Sequence, residues 1–251
     1  MNDKWARFVF YFVLIPLLWQ IVCWFRIWPP YLFPPPVEVG RALFWGFQDQ
    51  TFLIAIAVTL KRILIGYTIS LLLGVSLGLI VGRFKILDET VGSFIGVLQV
   101  LPSICWLPLA ILWFGLSEWA IQFVVVMGAF LSIATATDGG IKNIPPLYVR
   151  AARTMGIKGV DLYWRVILPA AFPSMITGMK LGWSFAWRSL MAGELLFVSA
   201  GLGHLLQMGR ELNDMPQVIA VMIMILLIGI VVDNGFFGPL QTRLQKQWGR
   251  V

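Results

Sequence analysis

The chain has 251 residues, of which 59% are hydrophobic and only 12% are charged. A soluble domain carries roughly 25% charged residues, so this composition, with a mean hydropathy of +0.84, excludes an ordinary soluble protein and indicates a membrane protein. The formal net charge of +7 is therefore interpreted as a topology signal and an affinity for anionic lipid headgroups, and nucleic acid is not expected as a partner.

Six apolar runs are long enough to span a bilayer, since a crossing helix needs about 20 apolar residues to cover roughly 30 Å of hydrocarbon. They lie at about residues 8–28, 54–82, 92–114, 118–138, 171–198 and 216–238. The predicted fold is therefore all-α, a polytopic membrane protein with about six helices in one transmembrane domain, residues 1–251. The first run is expected to be a retained helix, because no small-residue cleavage site follows it.

Charge placement predicts the orientation of these runs, because Lys and Arg concentrate in cytoplasmic segments. With the N-terminus inside, the predicted cytoplasmic segments hold twelve of the 19 Lys and Arg residues. We therefore expect both termini and the loop at about residues 139–170 to be cytoplasmic. Lys61 and Arg62, in the second run, are expected to reach toward the membrane interface.

Short features between and within the first two runs predict local structure. Prolines at residues 29–36 force the chain out of the bilayer, and residues 37–47 are predicted to form an amphipathic helix at the outer surface. Small residues in the second run let another helix approach closely, and we expect that helix to belong to the same chain, with a second chain as the alternative. These residues, four positions apart, are Gly66, Ser70, Gly74, Gly78 and Gly82.

The third and fifth runs carry the candidate substrate-path residues. Pro102 and Pro108 predict either a simple kink or a broken helix that lines a substrate path, because proline frees carbonyls that only protein or a wet cavity can satisfy. In the fifth run, Arg188 either binds an anionic substrate through its planar donor fork or forms a structural ion pair, for example with Glu118 or Asp233. The full candidate set is Pro102, Ser103, Trp106, Ser184, Trp187, Arg188 and Glu194.

A basic insert at residues 144–173 interrupts the hydrophobic sequence. Residues 147–155 have helical composition, Gly156 is placed as a helix C-cap, and a second short helix of about residues 159–166 is expected to end before Pro169. The insert therefore predicts a rigid elbow of two short helices, which either docks a partner or only connects two spans.

The insert resembles the shared loop of permease subunits of ATP-binding-cassette (ABC) importers: Glu-Ala-Ala, three residues, Gly, nine residues, Ile, one residue, Leu-Pro. The matching residues are Arg150, Ala151, Ala152, Gly156, Val166, Leu168 and Pro169, with Arg and Val in place of Glu and Ile. Further strings are similar to the sulfonate, taurine, nitrate and bicarbonate permeases within that family. They lie at residues 32–39, 59–62, 102–115, 177–181, 192–194 and 201–203.

The resemblance implies a type I ABC importer transmembrane domain whose elbow is the coupling helix on an ATPase subunit. The implied coupling residues are Arg150, Ala151, Ala152, Arg153, Thr154, Met155, Gly156 and Pro169. The expected partners are a second permease copy, two ATPase subunits, an extracytoplasmic solute-binding protein and the lipid bilayer of a bacterial inner membrane. The implied cargo is a small anionic nutrient, an aliphatic sulfonate or taurine first, with nitrate, bicarbonate or cyanate as the alternative.

The chain itself is not expected to be an enzyme or to hold a cofactor or metal. It has no Gly-x-x-x-x-Gly-Lys-Ser/Thr phosphate-binding loop, so ATP and Mg are expected in the partner ATPase. A membrane-embedded enzyme is the less favoured hypothesis, because the single histidine, His204, has no predicted catalytic neighbours. An ion-gradient-driven secondary transporter is the other alternative.

Overall fold

The computed structural model describes residues 10–196 and 199–247, and all regular structure within them is helical, as predicted. The helices are α1 (Ile15–Trp24), α2 (Pro36–Gln48), α3 (Thr51–Arg83), α4 (Ser93–Leu98), α5 (Leu107–Phe114), α6 (Glu118–Lys142), α7 (Pro146–Thr154), α8 (Leu168–Leu196), α9 (Leu202–Glu211), α10 (Met215–Val232) and α11 (Gly238–Gln247). Shorter helical turns are Phe10–Leu14, Lys85–Leu87, Asp88–Gly92, Ser103–Trp106, Gly159–Leu162, Tyr163–Ile167 and Asp233–Phe237.

The chain divides into two compact units. Unit 1 comprises Met1–Thr59 and Val198–Leu227, and unit 2 comprises Leu60–Phe197 and Ile228–Val251. Unit 1 contains α2, so the prediction of a helix at residues 37–47 is confirmed. Within this unit the indole N–H of Trp19 donates to the Pro34 carbonyl at 3.0 Å, which fixes the proline-rich stretch against α1.

Unit 2 is built around α6 and α8, which pack against each other along their length through small residues. A Cβ added to Gly178 of α8 would lie 2.1 Å from the Cβ of Ala136 in α6, so the two backbones are in close approach there. The core beside them also takes in α3, whose Tyr67 hydroxyl donates to the Met179 carbonyl at 2.7 Å. The largest side chains of this core include Ile63, Tyr67, Ile121, Ile133, Trp183, Leu190 and Phe237.

The small-residue face of α3 packs against α6, and the predicted packing within one chain is confirmed. A Cβ added to Gly66 would lie 2.6 Å from Val125, and one added to Gly78 would lie 2.5 Å from the Ala134 carbonyl oxygen. Ser70 donates to the Gly66 carbonyl at 2.7 Å, so its hydroxyl is satisfied inside the contact. We refer to this contact between α3 and α6 as the glycine seam.

Within the described residues, three helices are long and apolar enough to cross a membrane, namely Thr51–Arg83, Glu118–Lys142 and Met215–Arg243. The bent pair Lys85–Leu98 and Ser103–Phe114 adds a fourth if it counts as one crossing. These helices coincide with the second, fourth, sixth and third predicted runs.

The predicted count of six crossings is not confirmed. α8 has 29 residues, about 43 Å at 1.5 Å per residue, but it carries Lys180, Arg188 and Glu194 within the run. The first run appears as the π turn Phe10–Leu14 and the 10-residue α1, and residues 8 and 9 lie outside the described part.

The third run is broken, which agrees with the broken-helix alternative for residues 92–114 and not with a simple kink. Its two halves meet at 95°, and the break lies at residues 99–102. Pro102 is extended there, with φ −55° and ψ 136°. A proline favours a break at this point because it lacks an N–H group and disfavours helix at the residue before it. Pro108 causes no break, since it lies in the first turn of α5, where a helix needs no amide donor.

Candidate functional site

A cavity of about 570 Å³ lies in unit 2 at the break of the third run. The broken segment forms one wall, α6 a second and α8 a third. Its lining residues are Gln99, Val100, Leu101, Pro102, Ser103, Met127, Gly128, Leu131, Ser132, Thr135, Ala136, Leu181, Phe185 and Arg188. The irregular backbone of residues 99–102 therefore faces a protein cavity, the setting in which non-helical backbone is tolerated at membrane depth.

Arg188 is the only charged residue among those that line the cavity. Its Nε donates to the Ser184 carbonyl at 3.1 Å, and its guanidinium carbon lies 5.0 Å from the centroid of the Phe185 ring. These contacts use one donor and one face of the group, and no carboxylate in the described part of the chain forms an ion pair with it. A guanidinium has five donors, so Arg188 retains donors for an anion in the cavity.

Both carboxylates that the sequence suggested as structural partners of Arg188 are bound to other cations. Asp233 accepts from Lys180 at 2.8 Å, and Glu118 forms a bidentate pair with Arg62, in which Nε lies 2.8 Å from one carboxylate oxygen. The suggested pairing of Arg188 with Glu118 or Asp233 is therefore wrong.

The structure places three of the candidate path residues on the cavity wall, namely Pro102, Ser103 and Arg188. The other four are not among the lining residues. Trp106 packs against Phe123, with ring centroids 6.4 Å apart, Trp187 packs on the core of unit 2, and the Ser184 hydroxyl donates to the Lys180 carbonyl at 3.2 Å. Glu194 is fully buried.

Glu194 forms a buried ion pair with Arg62, which also pairs with Glu118, whose side chain is 59% exposed. Nη1 of Arg62 lies 2.9 Å from a Glu194 oxygen, and the two side chains are 5% and 0% exposed. The Arg62 side chain is therefore buried, whereas its predicted reach toward the membrane interface stays a prediction. The position of Arg62 in the sequence predicts this burial, since Arg62 lies four residues before Gly66 and so on the buried face of α3.

The first arm of the elbow and its glycine cap form as the insert predicts. α7 ends in a Schellman motif: the Gly156 N–H donates to the Arg153 carbonyl and the Ile157 N–H to the Ala152 carbonyl, both at 3.0 Å. Gly156 has φ +83°, a conformation that glycine adopts without strain. Of the implied coupling residues Ala152 is buried, whereas Arg150, Ala151, Arg153, Thr154, Met155, Gly156 and Pro169 are exposed.

The second arm of the elbow does not end before Pro169, contrary to the prediction. Gly159–Leu162 continues through the π turn Tyr163–Ile167 directly into α8. In this turn the Leu168 N–H donates to the Tyr163 carbonyl, five residues back, so the chain remains helical up to Pro169. Pro169 then lies in the first turn of α8, where it needs no amide donor.

The family of binding-protein-dependent transport system inner membrane components matches residues 70–236 of the chain. An ABC transporter permease protein of Methanocaldococcus jannaschii is 33% identical over 232 residues, covering 88% of this chain and 85% of that protein. The taurine transport system permease protein TauC of Escherichia coli is 28% identical over 239 residues, covering 93% and 86%. The nitrate import permease protein NrtB of Leptolyngbya laminosa is 29% identical over 196 residues, covering 78% and 70%.

The fold is similar to that of a solved transporter. The inward-facing MetNI methionine ABC transporter has a TM-score of 0.66 and 16% identity, with coverage of 78% of this chain and 96% of that chain. Membership of this chain in the matched family implies that it works with ATPase and binding-protein partners. The chain belongs to the family of binding-protein-dependent transport system inner membrane components and is the multi-pass permease subunit of an ABC importer.

Proposed function

We propose that this permease carries a small anionic nutrient, an aliphatic sulfonate or taurine first, with nitrate, bicarbonate or cyanate as the alternative. The observation that supports an anion is Arg188, the one charged group lining the cavity, with no carboxylate ion-paired to it in the described part of the chain. A guanidinium binds the paired oxygens of a sulfonate or carboxylate in a bidentate manner. Taurine and nitrate are also the cargoes named for the relatives TauC and NrtB.

The cavity wall favours an organic anion over a bare inorganic one. Ser103, Ser132 and Thr135 supply hydroxyl groups near the break, whereas most other lining residues are apolar. An alkyl sulfonate would place its head group at Arg188 and its carbon chain against residues such as Leu181 and Phe185. Pro102 and Ser103 would act in the same path by shaping the break.

The energy for transport comes, in this proposal, from ATP and Mg bound by the partner ATPase. Two copies of the permease would form the membrane part, and each elbow would dock on one of two ATPase subunits through the exposed coupling residues around Gly156. The extracytoplasmic binding protein would deliver the anion, and both termini would be cytoplasmic. Nucleotide binding and hydrolysis would shift the permease between outward-open and inward-open states.

Substrate binding by Arg188 is tested by uptake of radiolabelled taurine and nitrate into proteoliposomes that contain the complete complex. Arg188→Ala is expected to reduce uptake about tenfold or more, because a hydrogen bond to a charged group contributes about 1.5–3 kcal/mol. Arg188→Lys, which keeps the charge and loses the fork, is expected to retain an intermediate rate.

The matched control is Arg243→Ala, which removes an exposed cation from α11 and is expected to leave uptake unchanged. The proposed anion contact is wrong if Arg188→Ala transports like the unmodified complex. It is also wrong if uptake falls only in proportion to the amount of complex in the membrane, since Arg188 would then be structural.

A further inference from the structure

The first arm of the elbow carries positive charge that no carboxylate in the described part of the chain neutralises. Arg150 and Arg153 lie on α7, Lys158 follows the turn at Gly156, and all three cations are exposed. The ion pair found in the elbow is that of Asp161 with Arg165. Residues 144–160 contain no Asp or Glu, so the first arm and its turn have an excess of positive charge.

The second arm differs, because its charges are balanced within the arm. Asp161 lies 3.5 Å from Arg165, one helical turn later. On α7, in contrast, Arg150 and Arg153 are three residues apart and are therefore neighbours on the helix surface. Like charges at such a spacing are unfavourable in an isolated helix, so α7 gains nothing from this pair unless an anion lies opposite.

The exposed side of α7 has the spacing of a helix that docks in a groove. Recognition of this kind uses positions i, i+3, i+4 and i+7, and the exposed residues at these positions are Leu147, Arg150, Ala151 and Thr154. The Thr154 hydroxyl donates to the Arg150 carbonyl at 3.1 Å, so it is satisfied within the helix. The Arg150 guanidinium therefore remains as the main free donor on this side.

A protein groove fits this side of α7 better than a lipid surface does. A helix that lies in the membrane interface presents a face of large apolar side chains, whereas the small residues Ala151 and Thr154 lie in the middle of this one. Its large apolar residues are at the ends, with Leu147 69% exposed and Met155 72% exposed. A cation between two separated apolar groups fits a carboxylate between two apolar pockets.

We propose that the elbow docks in an acidic groove of the ATPase subunit, in which a carboxylate accepts a bidentate pair of hydrogen bonds from Arg150 and other carboxylates lie near Arg153 and Lys158. This inference rests on the proposed function, in which the elbow docks on the ATPase, and it specifies the chemistry of the partner surface. The same groove would repel a permease that has Glu at the position of Arg150, so it would also select the correct permease.

The test measures the dissociation constant of the ATPase subunit from the full-length permease in nanodiscs of phosphatidylcholine, a lipid without net charge. Binding should weaken about threefold or more between about 50 and about 300 mM salt, because salt screens ionic contacts at a surface. Arg150→Glu should weaken binding about tenfold or more, since it places like charges opposite each other. Arg150→Ala should have an intermediate effect.

A charge exchange between the two proteins identifies the partner group. The carboxylates of the ATPase groove are replaced by Lys one at a time, and one of these variants should restore the binding of Arg150→Glu. A general distortion of the permease would not be restored by a change in another protein. Arg210→Glu is the matched control, because it reverses an exposed arginine of α9 in a segment predicted to lie outside the cell, and it should bind normally.

Two results would overturn the inference in neutral nanodiscs: unchanged ATPase binding by Arg150→Glu, or no restoration by any Lys variant of the ATPase. A further set of nanodiscs contains anionic phosphatidylglycerol. If Arg150→Glu weakens binding only in these, the cations of the first arm act on the membrane, and the acidic groove is wrong.

Gly156→Val separates this inference from docking itself. A β-branched residue does not adopt φ +83° without strain, so this variant changes the angle between the arms and should lose ATPase binding while it keeps every charge. If Gly156→Val loses binding and Arg150→Glu keeps it, docking holds and only the acidic groove is wrong. If both variants bind normally, docking through the elbow is wrong and the inference falls with it.

Discussion

At the scale of single residues, Arg62 holds three helices of unit 2 together through one guanidinium group. It lies on α3, Glu118 begins α6 and Glu194 lies near the end of α8. The Gln122 amide also donates to the Arg62 carbonyl at 3.2 Å. The buried pair of Arg62 and Glu194 stabilises only as long as both charges are present, because an uncompensated buried charge is costly.

Replacement of Arg62 by Met is therefore expected to destabilise the protein by about 3–5 kcal/mol, the usual cost of removing one member of a buried pair. The double variant Arg62→Met/Glu194→Leu should recover part of that loss, since it also removes the buried carboxylate. Thermal unfolding of the detergent-solubilised protein measures both effects. Lys61→Met, at the exposed neighbouring position, is the control, and equal unfolding temperatures for Lys61→Met and Arg62→Met would contradict the buried role.

At the scale of helices, the glycine seam decides how closely α3 and α6 approach. Its small residues follow one another at four-residue intervals, about one helical turn. Along it Gly74 faces Phe130 and Ile133, while Gly82 faces Asp138 and Ile141. Because lipid is as apolar as leucine, this association depends on close backbone contact and not on burial of large side chains.

A single added methyl group in the seam is expected to separate the helices. In Gly78→Ala the new Cβ would lie 2.5 Å from the Ala134 oxygen and 2.6 Å from the Thr137 Cβ. Such overpacking typically costs about 1–3 kcal/mol, and thermal unfolding in detergent should reveal it. Gly229→Ala is the matched control, since a Cβ there meets nothing within 4 Å, and the seam would be unimportant if both variants unfolded alike.

At the scale of the whole molecule, the chain is one subunit of a transporter. The energy source for uptake is the property that distinguishes this transporter from a secondary transporter. The permease purified alone and placed in sealed vesicles is expected to take up no labelled taurine or nitrate under an imposed proton or sodium gradient. Addition of the ATPase and binding protein, with ATP and Mg, should start uptake. Gradient-driven uptake by the isolated chain would support the secondary-transporter alternative.

Sequence patterns predicted the features that depend on local spacing. The glycine seam, α2, α7 and the turn at Gly156 each follow from residue types at fixed intervals, and the structure confirms them. Three-dimensional pairing was not predictable in the same way. The carboxylate partners of Arg62 and Lys180 lie on other elements of the chain, so spacing within one run could not assign them.

The predicted crossings show a second limit of sequence patterns. A window of hydropathy measures how apolar a run is and does not record its direction, so the 95° break in the third run was visible only as two prolines with two open interpretations. The charges in α8 instead lower the hydropathy of a run that was predicted to cross the membrane. A long helix that faces a cavity and a buried core carries more polar residues than a lipid-facing one.

The π turn at Tyr163–Ile167 sets the rotational phase between the elbow and the cavity wall. An α-helix turns about 100° per residue, and a π turn accommodates one extra residue in its hydrogen-bonded ring. A homologue with one residue fewer at this point would form a regular α-helix and would turn a different face of its second arm toward α3, where the Tyr163 hydroxyl here donates to the Leu79 carbonyl at 2.9 Å. The length of this five-residue turn, and not only the identity of Tyr163, therefore determines which helices the elbow can engage.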